Sequence, residues 1–289
     1  MQERFKSIRN ILIGVLVFNW AVAAAKLLYG YISKCTAMSA DGFHSFSDGA
    51  SNIVGLIGIW VASQPVDKEH PYGHKKYETF SSIIISMLLF IISFSLLKDG
   101  IMRLFQTYPA PVVTKFSFVV MLCTIAVNTG VYIYERARSK ALKSDILAAD
   151  SQHTRCDILV SVSVVAALIA INAGFPLIDT AVSIAIALFI AYAAFNIMKD
   201  TSAVLCDSAV IVSDDIKNIV LDIDGVKGCH KIRTRGRQDD IHLDLHIQIN
   251  RSMHVEGAHE LTHKIQKAIK DNISGITDIA IHIEPYGKK

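Results

Sequence analysis

The chain has 289 residues, 52% of them hydrophobic and 19% charged, with mean hydropathy +0.39 and a formal net charge of +3. This is too apolar for a soluble domain of average composition and too near neutrality for a partner whose phosphates require a broadly basic surface. Charge is sparse over residues 11–200 and dense after about 213, so the chain divides into a membrane part, 1–204, and a soluble tail, 205–289.

The N-terminus MQERFKSIRN is basic and precedes an apolar run longer than the core of a signal peptide, with no small-residue cleavage pattern. It reads as a retained first membrane helix. A helical span needs about 20 residues, and six runs qualify: Ile11–Gly30, Ala40–Ala62, Phe80–Leu97, Phe116–Tyr134, Ile146–Ile171 and Leu177–Ile197. The third and sixth are the most uniformly apolar and read as scaffold. Arg4, Lys6, Arg9, Lys68, Lys75, Lys76, Arg136, Arg138, Lys140 and Lys143 fall on one side of these spans. Lys34, Lys98, Arg103 and Lys115 fall on the other. The richer side is expected to be cytoplasmic, with both termini inside. Cys35, Cys123, Cys156, Cys206 and Cys229 form no CxxC and no framework spacing, so reduced thiols are expected.

The tail changes character. Ser213–Ile223 reads as a helix with Ser213 as its N-cap and Asp214 and Asp215 in its first turn. Val226–Thr234 reads as a strand, GRQDD as a hairpin turn, and Ile241–Asn250 as a half-buried strand. In that strand Ile241, Leu243, Leu245, Ile247 and Ile249 share one face; His242, Asp244, His246, Gln248 and Asn250 share the other. Val255–Asn272 reads as an amphipathic helix and Ile276–Ile283 as a last strand. The order αββαβ implies a small sheet with helices on one face.

Two spans carry ionisable pairs at matched spacing. His44 and Asp48 lie in the second, His153 and Asp157 in the fifth. A spacing of four puts both side chains of a pair on one helical face. Each such group costs roughly 2.5–3.5 kcal/mol at mid-bilayer depth, so two matched pairs point to use. Two imidazoles and two carboxylates make a tetrahedral donor set for Zn²⁺. Neutral histidines and ionised carboxylates sum to −2, which a divalent ion cancels. When the ion leaves, proton uptake can replace it, which is the electrostatic basis for metal/proton antiport. Asp41 and Asp150, each three residues before a histidine, either orient the imidazoles or line a wet entry. Arg155 either snorkels or pairs with an acid. Asn19, Asn52, Asn128 and Asp179 read as packing or cavity residues.

The six spans, the paired HxxxD motifs and the αββαβ tail together resemble the cation diffusion facilitator family of divalent-metal transporters, over essentially the whole chain. The resemblance implies six transmembrane helices, a small cytoplasmic metallochaperone-like α+β domain, and a transport site at His44, Asp48, His153 and Asp157. Histidine at position 44 resembles the zinc-preferring branch, and nitrogen ligands favour the same choice over Mn²⁺. PVDKEHPYGHKKYE resembles the family's loop site, with Asp67, His70 and His74 as ligands. The tail's ligand positions fall on His230, His246, His259, His282 and Glu284, although the family often has Asp where Glu284 stands. Lys76 and Asp207 match a charge pair that links protomers. His242, His254 and His263 read as exposed helix, strand or loop residues.

The expected protein is thus a homodimeric secondary transporter in the lipid bilayer of a bacterial inner membrane, not an enzyme. It exports Zn²⁺ against protons by alternating access, with helices one, two, four and five rocking against three and six. Zn²⁺ is both cargo and regulatory ligand, and no organic cofactor or nucleic-acid partner is implied. Fe²⁺, Co²⁺, Cd²⁺, Ni²⁺ and Mn²⁺ stay open as cargo. The rival readings are a metal-dependent intramembrane enzyme, against which stands the lack of HExxH, and a metal sensor signalling through its tail.

Overall fold

A computed structural model describes residues 2–32, 49–105, 115–172 and 176–287. It divides into two compact units, residues 1–201 and 202–289.

The first unit is helical, as unpaired backbone groups in lipid require. Its described helices are α1 (Gln2–Ile32), α2 (Gly49–Ala62), α3 (Lys76–Phe105), α4 (Lys115–Leu142), α5 (Asp145–Asn172) and α6 (Pro176–Leu205). Most run past the apolar windows read from sequence, because a helix continues into water after its lipid-crossing stretch ends. Among the described residues, Glu3–Ala25, Lys76–Met102 and Ile184–Leu205 are by themselves long and apolar enough to cross a bilayer. Large apolar side chains such as Ile57, Trp60, Ile91, Phe94 and Phe195 face outward, where lipid would cover them.

Among the described residues, two apolar clusters pack this unit. Phe5, Ile8 and Leu12 of α1 pack with Ile59 of α2 and with Ile146 and Leu147 of α5. Leu89 of α3 packs with Cys156 of α5 and with Ile190 and Ala194 of α6. Gly58 lets α2 cross α3 at close range: a Cβ there would run into the Ser81 side chain. Small residues are the usual device where membrane helices approach closely.

A polar clamp closes one end. Arg4 donates to both carboxylate oxygens of the fully buried Glu78, at 3.0 and 3.2 Å, and to the Leu142 and Lys143 carbonyls at 2.8 and 3.0 Å. Ser144 Oγ donates to the same carboxylate at 2.6 Å, and Thr79 Oγ1 donates to Asp145 at 2.8 Å. The clamp therefore fastens α1 and the α4–α5 turn to the start of α3.

The second unit follows the order αββαβ: α7 (Ser213–Leu221), β1 (Val226–Arg237), β2 (Asp240–Ile249), α8 (Val255–Asn272) and β3 (Ile276–Pro285). β2 is central, antiparallel to β1 and parallel to β3. The parallel pair needs a crossover, and α8 supplies it. The alternating apolar residues of β2 pack with Ile216 and Val220 of α7 and with Leu261, Ile265 and Ile269 of α8. Both helices thus cover one face, leaving the face of His246 open. The β1–β2 turn is tighter than the five residues read from sequence: Arg237 pairs with Asp240 across Gln238 and Asp239. Gly236 precedes it at φ 106°, where a Cβ would meet the Asp240 carbonyl. Ser213 is the first helical residue of α7 and not its cap. Val212, in extended conformation, holds the capping position without a side-chain bond.

Candidate metal-binding sites

His153 and Asp157 lie on one face of α5, with His153 Nε2 3.9 Å from Asp157 Oδ2. His153 is 5% exposed, so its imidazole faces the interior of the helical unit. Two ligands on a tetrahedral zinc stand roughly 3.3 Å apart, a gap this pair reaches with a small rotamer change. His44, Asp48 and Asp41 lie outside the described residues.

Among the described residues, Asp150 and Glu135 also lie near His153. Asp150 is buried and accepts from Ser51 Oγ at 2.9 Å and from Asn52 Nδ2, both on α2, so it ties α2 to α5. Asn19 of α1 donates in turn to Asn52 at 3.4 Å. Glu135 of α4, fully buried, accepts from Thr154 Oγ1 at 3.0 Å. The sequence reading passed over Glu135 because it follows the apolar run that ends at Tyr134, where charges read as topology. Its only signal is that a helical period carries it to the packed side of α4. The Arg155 guanidinium lies over the Phe189 ring, 5.0 Å from the centroid.

In the loop before α3, Asp67, His70 and His74 bring one ligand atom each to within 4.8 Å of one another. Asp67 Oδ1 accepts the backbone N–H of Glu69 at 2.9 Å and of His70 at 2.6 Å, an Asx-type turn built into the sequence. The backbone N–H of His70 is the main cause that holds the Asp67 carboxyl below its ordinary range. His74 Nδ1–H donates to the Pro65 carbonyl at 3.1 Å, and its Nε2 is turned toward Asp67 Oδ2 at 3.4 Å. A carbonyl that fixes the tautomer in this way is a common support for a metal-binding imidazole. Lys76 opens α3 beside this loop. Asp207, at φ 56°, follows α6 in the second unit.

On the open face of the tail sheet, His230, His246 and Glu284 form a second group with ligand atoms within 4.8 Å. Strand register makes it: His230 pairs with His246, His246 with His282, and Gln248 with Glu284. Glu284 lies 3.2 Å from His230 Nε2 and accepts from His246 Nδ1 at 2.9 Å. The hydrogen bond from His246 is the chief reason its carboxyl sits below the usual range. His282 borders the group, 4.0 Å from Glu284 and 4.5 Å centroid to centroid from His246. A register shift falls between His230 and Arg233, with Lys231 at φ 49°. Such bulges re-aim a side chain beside a site.

His259 is not in this group. It lies on exposed α8, against the opposite face of the sheet, with His263 as its neighbour. His242 is half-buried and not exposed, 3.9 Å from both Asp240 and Asp278. His254 has a structural role that propensity alone hides: it caps α8, its Nδ1 accepting from the Glu256 backbone at 3.4 Å.

Residues 12–206 match the cation efflux transmembrane domain, and residues 211–286 match the cytoplasmic domain of cation efflux proteins. An uncharacterized transporter of Methanocaldococcus jannaschii is 28% identical over 96% of this chain and 99% of its own. The manganese efflux system protein MneS of Bacillus subtilis is 27% identical over 99% of this chain and 100% of its own. Among solved structures, the metal-bound C-terminal domain of the CzcD transporter from Thermotoga maritima is 33% identical over 26% of this chain and 87% of that one, with a TM-score of 0.25.

Proposed function

The chain belongs to the cation diffusion facilitator family of divalent-metal efflux transporters, and from that premise we propose that its cargo is Zn²⁺, exchanged for protons at a site of His44, Asp48, His153 and Asp157. The observation that carries this reading is the His153–Asp157 pair: an imidazole and a carboxylate on one inward face of α5, close enough for one ion to span. Both imidazoles of the set are borderline nitrogen donors, which suits Zn²⁺ better than Mn²⁺. A site within the bilayer makes an emptied, doubly negative ligand set costly, so proton uptake accompanies release.

The Asp67–His70–His74 loop and the His230–His246–Glu284 group, with His282 at its border, bind further divalent ions that regulate transport. The protein works as a homodimer in a bacterial inner membrane, termini in the cytoplasm, with Lys76 and Asp207 linking protomers. Alternating access moves α1, α2, α4 and α5 against α3 and α6. The Arg4–Glu78 clamp spans that division and holds its end of the bundle shut.

A second reading, Mn²⁺ as cargo, is favoured by the name of the Bacillus relative. The test is a panel of Zn²⁺, Mn²⁺, Fe²⁺, Co²⁺, Cd²⁺ and Ni²⁺ in proteoliposomes, with a metal dye and a pH dye inside. Zinc should enter fastest and shift the pH signal. Faster manganese entry would replace zinc by manganese, and an unmoved pH signal would remove the antiport. An unchanged order in His44→Asp would sink the argument from nitrogen ligands.

A further inference from the structure

Glu135 of α4 and Asp150 of α5 are both buried, and their carboxyl groups lie within hydrogen-bonding reach of each other. The donors around them are accounted for. Ser51 Oγ and Asn52 Nδ2 each donate to one oxygen of Asp150. Thr154 Oγ1 donates to Glu135 Oε2 at 3.0 Å. Glu135 Oε1 is buried and meets no donor among the described residues. Ionised carboxylates only accept, so two of them side by side have nothing to join them. A proton on Glu135 Oε1 satisfies that atom and turns Glu135 into a donor to Asp150.

The surrounding charge requires the same proton. Among the described residues, no Lys or Arg stands within ion-pair distance of either carboxyl. His153 and Asp157 bear on the pair from α5. From α2 come the neutral Ser51 and Asn52, and α1 reaches the pair through Asn19, itself bonded to Asn52. α3 meets α5 through Thr79 and Leu89, and its own buried acid, Glu78, is already paired with Arg4. Two acids away from solvent, with no cation beside them, hold one proton between them.

The pair is placed to respond to the cargo. Asp150 lies one helical turn before His153, and Thr154, which holds Glu135, directly follows it. A divalent ion at His153 and Asp157 adds positive charge beside the pair while using none of its oxygens.

We propose that Glu135 and Asp150 store one proton next to the transport site: they share it while that site is metal-free and release it to water when a divalent cation binds at His153 and Asp157. The proposal rests on the reading of those two residues as cargo ligands and deepens the proton exchange, because it adds a proton carrier outside the metal's own donor set. In each event the Glu135 O–H bond breaks, one H⁺ leaves, and its charge offsets part of the charge that arrives with the metal.

The test is infrared difference spectroscopy on the full-length chain in detergent, reading the carbonyl stretch of protonated carboxyl groups. It is paired with proton release on adding Zn²⁺ or Mn²⁺ in weakly buffered solution. Metal-free wild type should show the band near neutral pH, and metal should diminish it. Glu135→Gln, whose amide copies the shape of the protonated acid and donates to Asp150, should lose one component of the band and release about one proton fewer per chain. Asp150→Asn changes the partner of the shared proton and should shift or remove the same component. The second variant decides the assignment if the first does not fold, with melting temperature as the control. A band unchanged in the folded variants overturns the proposal. So does a wild-type band that neither metal diminishes, or equal proton release by wild type and Glu135→Gln. Failure of the exchange itself reads differently: the band and the release in detergent would be intact, while the interior pH of wild-type proteoliposomes stays constant during metal uptake.

Discussion

The loop group and the sheet group gather the same kinds of donor by opposite means. Asp67, His70 and His74 come from one short stretch, and a backbone turn around the Asp67 carboxylate sets their geometry. His230, His246 and Glu284 come from three strands, and only the register of the finished sheet brings them together. The first arrangement is written in local sequence and depends on the membrane unit through its link to α3. The second exists only when the tail's core is intact. Equal ligand chemistry therefore carries unequal dependence on the fold.

The largest expected effect falls on the clamp beside the loop. Arg4→Ala removes the guanidinium paired with the buried Glu78, a loss typically of about 3–5 kcal/mol. Thermal unfolding of the membrane unit should drop accordingly, while metal binding to the tail is retained. A melting curve like that of wild type would show that the clamp contributes nothing. The converse cut is Leu245→Ala, in the fully buried centre of β2. It should cost about 2–5 kcal/mol and weaken metal binding at the sheet group, leaving the loop group unchanged by titration. If both groups weaken together, their independence fails.

Single ligands give smaller effects. Glu284→Gln should weaken Zn²⁺ at the sheet group by about tenfold or more, in line with the weight of charged donors at such sites, yet leave transport at saturating metal within a factor of about two. The smallest effect is on pH. The folded-state pKa of Glu284 is lowered, chiefly by the hydrogen bond from His246. Its contribution to stability is therefore complete above the unfolded value, about 4.3, and is lost as pH falls through the lower folded value. Acid unfolding of the metal-free tail should be slightly less steep below that point in Glu284→Gln. The change is small because the pair is half-exposed and screened by solvent. An identical acid limb would separate the hydrogen bond from stability.

What could be read in the sequence follows the same division. The alternation of Ile241 to Ile249 announces a half-buried strand, and it forms one, with His246 on the open side. The spacing of His153 and Asp157 announces a shared face because α-helical geometry is local. The grouping of Glu284 with two histidines comes from register, which spacing alone does not fix. The Arg4–Glu78 pair is harder still: its partners are joined only by how α1, α3 and the α4–α5 turn meet, and no local pattern marks it. Glu135 went unnoticed because a charge just past an apolar run ordinarily signals the water interface; here α4 continues to Leu142 and keeps the carboxylate packed against Thr154. Val212 in place of Ser213 as the α7 cap is a difference of one residue, within the spread by which helix ends are read.

The most direct test of the transport account is zinc uptake by inverted membrane vesicles that carry Asp157→Ala. If His153 and Asp157 hold the cargo, uptake should fall by a factor of at least about 100, with the purified variant still folded and still binding metal at its tail. Uptake at the wild-type rate would mean that the ion crosses elsewhere, and the account would be wrong.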